Sequence, residues 1–95
     1  MAAYVVLDIE VTHPDKFARY RELAPPAIAA YGGRYIARGG NTEVLEGSRT
    51  PNRVVILEFP TIERAKAWLE SPEYREAREL RQASATTDAF VTQGL

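Results

Sequence analysis

Hydrophobic and polar positions alternate from the start of the chain. Over residues Ala3 to Thr12, Val5, Leu7, Ile9 and Val11 fall on one side and Tyr4, Val6, Asp8 and Glu10 on the other, a period of two that predicts a β-strand. After His13-Pro14-Asp15 the period changes. Phe17, Tyr20, Leu23/Ala24, Ala27/Ile28 and Tyr31 recur at three and four, so a helix begins with Pro14 in its first turn and Asp15 facing the positive end of its dipole. Asp15 and Arg19 are spaced to pair on its wet side. Pro25-Pro26 removes two helical N–H donors and predicts a kink or break before Gly32 caps the helix.

A second strand is expected over Arg34 to Arg38, closed by Gly39-Gly40-Asn41, and plain alternation puts Arg34 and Arg38 on one face. Glu43 to Glu46 reads as an extension of this hairpin, and Gly47 to Asn52 as a polar loop. Arg53 to Phe59 forms a third strand that Pro60 ends. Thr61 caps a helix carrying Ile62, Ala65 and Trp68/Leu69 on one side, and Ser71-Pro72-Glu73 restarts it after a bend, with Tyr74, Ala77 and Leu80/Arg81 continuing the stripe. A last strand covers Asp88 to Gln93. The order βαββαβ predicts an α+β, ferredoxin-like single domain over residues 1–95: a four-stranded antiparallel sheet with two helices, each kinked at proline, on one face.

Val54 to Leu57 is apolar without alternation, and Tyr4 to Leu7 nearly so; such runs are buried on both faces. Two helices cover only one face, so a second copy of the same sheet is expected on the other, giving a homodimer of sheets packed face to face. A chain of 95 residues buries only about 65% of its unfolded surface on its own, which favours such association.

Composition then removes function classes. The net charge is −1, so there is no basic footprint for nucleic acid or for an anionic membrane, and neither is expected as a partner. The third strand carries aliphatics where an RNA-recognition motif needs stacking aromatics. With no cysteine and one histidine, His13, neither a metal site nor a cofactor is expected. The N-terminus lacks a basic region and a long apolar run, so a cytoplasmic location is expected. Gly32-Gly33 and Gly39-Gly40 lack nucleotide-loop spacing and read as cap and turn glycines, with Gly33 or Gly39 at positive φ. Gly47-Ser48-Arg49 is not a nucleophile elbow.

What remains is a set of aromatic and cationic side chains. Tyr20, Arg38, Trp68, Tyr74 and Arg81 are the candidate ligand-binding residues: aromatic walls, with arginines donating charge-assisted hydrogen bonds to a carboxylate or phenolate. The plain alternative is that the aromatics are core and the arginines are solvated. No catalytic residue can be named, and Glu58 and His13 are the only candidates for a base. Asp8, Glu10 and Glu58 should project from the face away from the helices, where they either pair with Arg34, Arg38 or Arg53 or carry raised pKa values.

Tyr20, Tyr31-Gly32-Gly33-Arg34-Tyr35, Arg38-Gly39-Gly40, Leu45-Glu46-Gly47, Glu58-Phe59-Pro60, Ala67-Trp68, Ser71-Pro72-Glu73-Tyr74, Arg78/Arg81 and Gly94, in this order over essentially the whole chain, resemble the bacterial family known as domain of unknown function 1330. The resemblance implies the dimeric α/β-barrel superfamily, whose members include cofactor-free monooxygenases acting on aromatics, muconolactone-isomerase-like proteins and haem-degrading enzymes. His13 stands where the family usually has an acidic cap, and Leu69 where a tyrosine is common. Together these features predict a small dimer that binds an aromatic or acidic metabolite in a cleft between helices and sheet, in an enzymatic version a cofactor-free monooxygenase or an isomerase. The alternative is a non-catalytic structural or stress-related dimer with no small-molecule substrate.

Overall fold

The alternation of the first strand becomes a two-sided burial pattern. In a computed structural model, which describes residues Met1–Leu95, Ala3, Val5, Leu7 and Ile9 are buried beneath helices, while Tyr4, Val6 and Asp8 are half-exposed. The elements run β1 (Ala3–Val11), α1 (Pro14–Ala30), β2 (Arg34–Arg38), β3 (Arg53–Phe59), α2 (Ile62–Leu69), α3 (Arg75–Ser84) and β4 (Ala85–Gln93). The sheet has the order β2-β3-β1-β4 with every neighbouring pair antiparallel, which is the ferredoxin-like arrangement. Val55, Leu57 and Phe59 of β3 face the same side as Val5 and Leu7 and join Phe17, Tyr20, Ile28, Trp68 and Tyr74 in one core. No helix is long and apolar enough to cross a membrane.

Five local expectations change. The first helix continues without a break through Pro25 and Pro26. The second helical region is two helices: Ser71 Oγ donates to the Trp68 carbonyl (2.7 Å) and accepts from the Tyr74 N–H (3.1 Å), so one serine ends α2 and starts the turn into α3. Glu43 to Glu46 is not a strand; residues 39–52 form an irregular arm whose Leu45 is 98% exposed. Arg19 pairs with Glu22 (2.9 Å) instead of Asp15. The last strand begins at Ala85, earlier than its apolar residues suggest, because β1 offers it partners as far as Val11.

The glycines divide by mechanism. Gly32 (φ +78) and Gly39 (φ +69) lie in the left-handed region. Gly33 does not; a Cβ there would stand 2.6 Å from the Phe59 ring and 2.8 Å from Ile28, so it is required by close packing between helix end and sheet.

The face of the sheet away from the helices carries Ile56, Val6 and Phe90 as cross-strand neighbours. Phe90 is 61% exposed there. Around this apolar row lie Tyr4, Glu58 and Arg34 at one end and Asp8 and Asp88, directly opposed, at the other.

Candidate functional site

The site is built where β2, β3 and α1 meet, and two backbone irregularities create it. In β2, Arg34 pairs with Glu58 and Tyr35 with Leu57, but Ala37 pairs with Ile56 and Arg38 with Val55. The bulge between Tyr35 and Ala37 reverses the parity of the strand. Arg34 therefore lies on the outer face and Arg38 on the helix face, so the two arginines do not share a side as plain alternation predicts. In α1, Pro25 has no N–H to give to the carbonyl of Arg21. That freed oxygen instead accepts from Arg38 Nη2 at 3.1 Å. A proline that should have broken the helix thus anchors an arginine from the neighbouring strand. Pro25→Ala should restore the helical hydrogen bond and raise the thermal midpoint in circular dichroism melts, a helical proline costing up to about 3 kcal/mol.

Arg38 is one of three arginines at this junction. Arg21, Arg38 and Arg53 line one cleft with Ile9, Phe17, Tyr20, Tyr35 and Val55. None of the three is in an ion pair; the pairs in the molecule are Arg19–Glu22, Arg34–Glu58, Arg49–Asp88 and Arg78–Glu70. Arg38 stacks over Tyr35 (4.4 Å to the centroid) and Arg53 over Phe17 (5.6 Å), and the Arg53 Nε is buried without a partner. Burial, followed by the charges of Arg21 and Arg38, pushes the Arg53 guanidinium below its ordinary pKa, though an arginine remains cationic. Gly39 is part of this construction, because a Cβ there would lie 2.5 Å from Arg53 Cζ. The enclosed space is about 10 Å³, room for one water-sized group.

Behind the cleft runs a chain of donors. Tyr20 Oη and Tyr74 Oη are 2.9 Å apart, and the buried Arg81 donates through Nε to Tyr74 Oη at 3.4 Å. Arginine can only donate. Tyr74 therefore accepts from Arg81, and in the Tyr20–Tyr74 bond either hydroxyl can be the donor. Burial, reinforced by Tyr74, raises the Tyr20 pKa, so Tyr20 stays a phenol and a donor at neutral pH. Burial likewise raises Tyr35 against the opposing effect of Arg38.

Of the five candidate ligand-binding residues, Tyr20 and Arg38 line the cleft, and Tyr74 and Arg81 stand behind Tyr20. Trp68 is one layer further in, packed on Tyr74 (4.3 Å) and Phe59 (5.3 Å). Neither candidate base is brought to the cleft. Glu58 is on the opposite face, bound to Arg34 at 2.6 Å, and His13 is exposed at the start of α1 with Nδ1 3.0 Å from the Thr12 carbonyl. Asp8 accepts from the Asn52 N–H at 2.8 Å. The Arg34 hydrogen bond holds the Glu58 carboxyl below its ordinary pKa. A depressed carboxyl contributes stability above its unfolded pKa and loses it as pH falls through the folded value. Stability should therefore decline below the ordinary carboxylate range, and Glu58→Gln should flatten that acid limb in thermal melts run against pH.

Arg21, Arg53, Tyr35 and Phe17 were not among the candidate residues. A signal existed for three of them, Phe17 opening the apolar stripe of α1. Arg53 has the parity of Val55, Leu57 and Phe59, and Arg21 follows Phe17 by four on α1, so both border apolar faces. Tyr35 takes the helix face by plain alternation with Arg34, and Arg38 joins it there only through the bulge, which no residue type in Arg34–Arg38 announces.

The fold places the chain among solved structures of similar shape. A Rhodopseudomonas palustris protein of unknown function is 21% identical with a TM-score of 0.77, over 99% of this chain and 82% of that one. A dimeric ferredoxin-like protein of unknown function from Jannaschia is 12% identical, TM-score 0.73, covering 99% and 100%. SnoaB, a cofactor-independent oxygenase from Streptomyces nogalater, is 12% identical, TM-score 0.66, covering 99% and 93%. At these identities the likeness is one of fold. No curated protein matches the sequence. The family profile described as Domain of unknown function (DUF1330) matches residues 2–95, and the chain belongs to that family.

Proposed function

We propose that the protein binds a small organic acid, its anionic oxygen held among Arg21, Arg38 and Arg53 and its apolar or aromatic body lying against Tyr35 at the mouth. The observation that carries this reading is three converging guanidiniums with no carboxylate among them. Like charges brought together this way oppose folding, and a bound anion would offset them. Tyr20 supplies a neutral donor to the same oxygen. Thermal shifts with acetate, benzoate and salicylate, against phenol as the uncharged control, test it at low salt. Benzoate and salicylate should raise the melting temperature saturably, and Arg38→Ala should abolish the rise. Equal shifts with phenol, or none with any carboxylate, would favour a structural dimer without a ligand.

An enzymatic version rests on the same donors, which would stabilise an enolate or phenolate as charge develops. The residues lining the cleft include no carboxylate or imidazole, so this cleft suits a substrate that arrives ionised. Oxygen uptake with a panel of dihydroxyaromatic acids, comparing wild type with Tyr20→Phe, tests that version.

The apolar row Ile56–Val6–Phe90 supports a homodimer through the outer sheet face, as the shape shared with dimeric ferredoxin-like proteins does. Light scattering at micromolar concentration should give twice the mass of the chain, and a monomer would refute it.

A further inference from the structure

A second apolar surface lies on the helix side of the β4 edge, and one segment of the chain has no place to bury its hydrophobic residues. The surface is a groove of about 160 Å³ between α2 and β4, with Ala65, Trp68, Leu69, Ala89 and Val91 in its walls and Lys66 the only charged lining residue. The segment is Glu43-Val44-Leu45-Glu46 on the irregular arm, with Leu45 98% and Val44 44% exposed. A fully exposed leucine between two glutamates, on an arm with no strand to hold it, calls for a surface outside its own protomer.

We propose that Val44 and Leu45 of each protomer dock in the α2/β4 groove of a second copy, with Glu43 and Glu46 flanking the partner's Lys66. The inference rests on dimerisation through the outer sheet face and adds to it. The proposal places the two-fold axis along the strands, which reverses the order β2-β3-β1-β4 and sets the β2 edge of one protomer beside the β4 edge of its partner. The arm leaves from the end of β2. Packed sheets lie about 10 Å apart, and the extended chain from Gly39 to Leu45 spans roughly 20 Å, enough to round the β4 edge. Phe90 connects the two surfaces, since it stands in the outer row beside Val6 and also borders the groove. The charges on arm and groove are complementary, and the leucine enters an aliphatic and aromatic pocket.

The absence of cysteine makes cross-linking specific. Leu45→Cys and Ala89→Cys proteins, one carrying a mass tag, are mixed, refolded together and oxidised. A mixed disulfide dimer, well above what either variant forms alone, is expected. In wild-type sequence otherwise, Leu45→Ser should raise the dimer dissociation constant on the order of a hundredfold, because two leucines leave the interface. If the variants still scatter as dimers but no mixed disulfide forms, the docking is wrong and the sheet-face dimer stands. A double variant that closes its disulfide within one chain would also overturn the docking. A monomeric wild type would overturn both.

Discussion

Replacing Trp68 by alanine should lower stability by about 3–5 kcal/mol, equivalent at the melting midpoint to a fall on the order of 15–30 °C for a domain of this size. Trp68 is 1% exposed and lies between the Phe59 and Tyr74 rings at 5.3 and 4.3 Å. Removing it opens a cavity beneath α2 and withdraws the support of Tyr74, hence of Tyr20. The indole N–H is buried with no partner, a cost of about 1–3 kcal/mol already present in the native fold. Trp68→Phe removes that cost along with part of the ring, so it should be far milder than alanine. Chemical denaturation of the two variants beside wild type checks the ordering. An alanine variant that melts like wild type would mean that the indole is not part of the core.

Arg53→Met should have the opposite profile. Anion affinity should fall about 10- to 150-fold, the equivalent of one charge-assisted hydrogen bond of roughly 1.5–3 kcal/mol. Stability should change by no more than about 1 kcal/mol, because the lost contact with Phe17 is of that size while a half-buried charge facing two others is relieved. The aliphatic part of the side chain is retained, and the flexible methionine fits over Gly39. Calorimetric titration with benzoate and urea denaturation, on the same preparations, separate the two effects. A variant that loses stability and affinity together would show Arg53 to be a structural side chain. A site that binds anions is expected to hold its charges at some expense to the fold.

The residues show why the fold was legible and the cleft only partly so. Periods of two and of three to four are imposed by burial; β1 and α1 carry them, and the continuous apolar run of β3 marks a central strand. The cleft arises where those periods fail. The bulge in β2 turns Arg38 from the outer face to the helix face, and the carbonyl released at Arg21 by Pro25 holds it there. Both are backbone events that involve residues far apart in sequence. Pro25-Pro26 read locally as a kink or break; the helix does not break there, because the packing of Ala24, Ala27 and Ile28 into the core outweighs the two missing donors. Tyr20 was visible on the stripe of the first helix and Tyr74 and Arg81 on that of the second; that their polar ends meet was not, because it depends on how α1 packs against α3. Leu45 was read as part of an extension of the hairpin, but no strand pairs with Glu43 to Glu46 and the leucine stays in solvent.

The central claim is that Arg21, Arg38 and Arg53 hold an organic anion in the helix/sheet cleft. The most direct measurement is an NMR titration of the uniformly ¹⁵N-labelled protein with salicylate at neutral pH and low salt, observing the arginine Nε–H signals. The account predicts that the Arg53 and Arg38 signals move saturably with one dissociation constant, that Arg34 and Arg78 stay in place, and that phenol leaves all of them unchanged. Uniform, unsaturable shifts across every arginine, or no movement of Arg53, would contradict it.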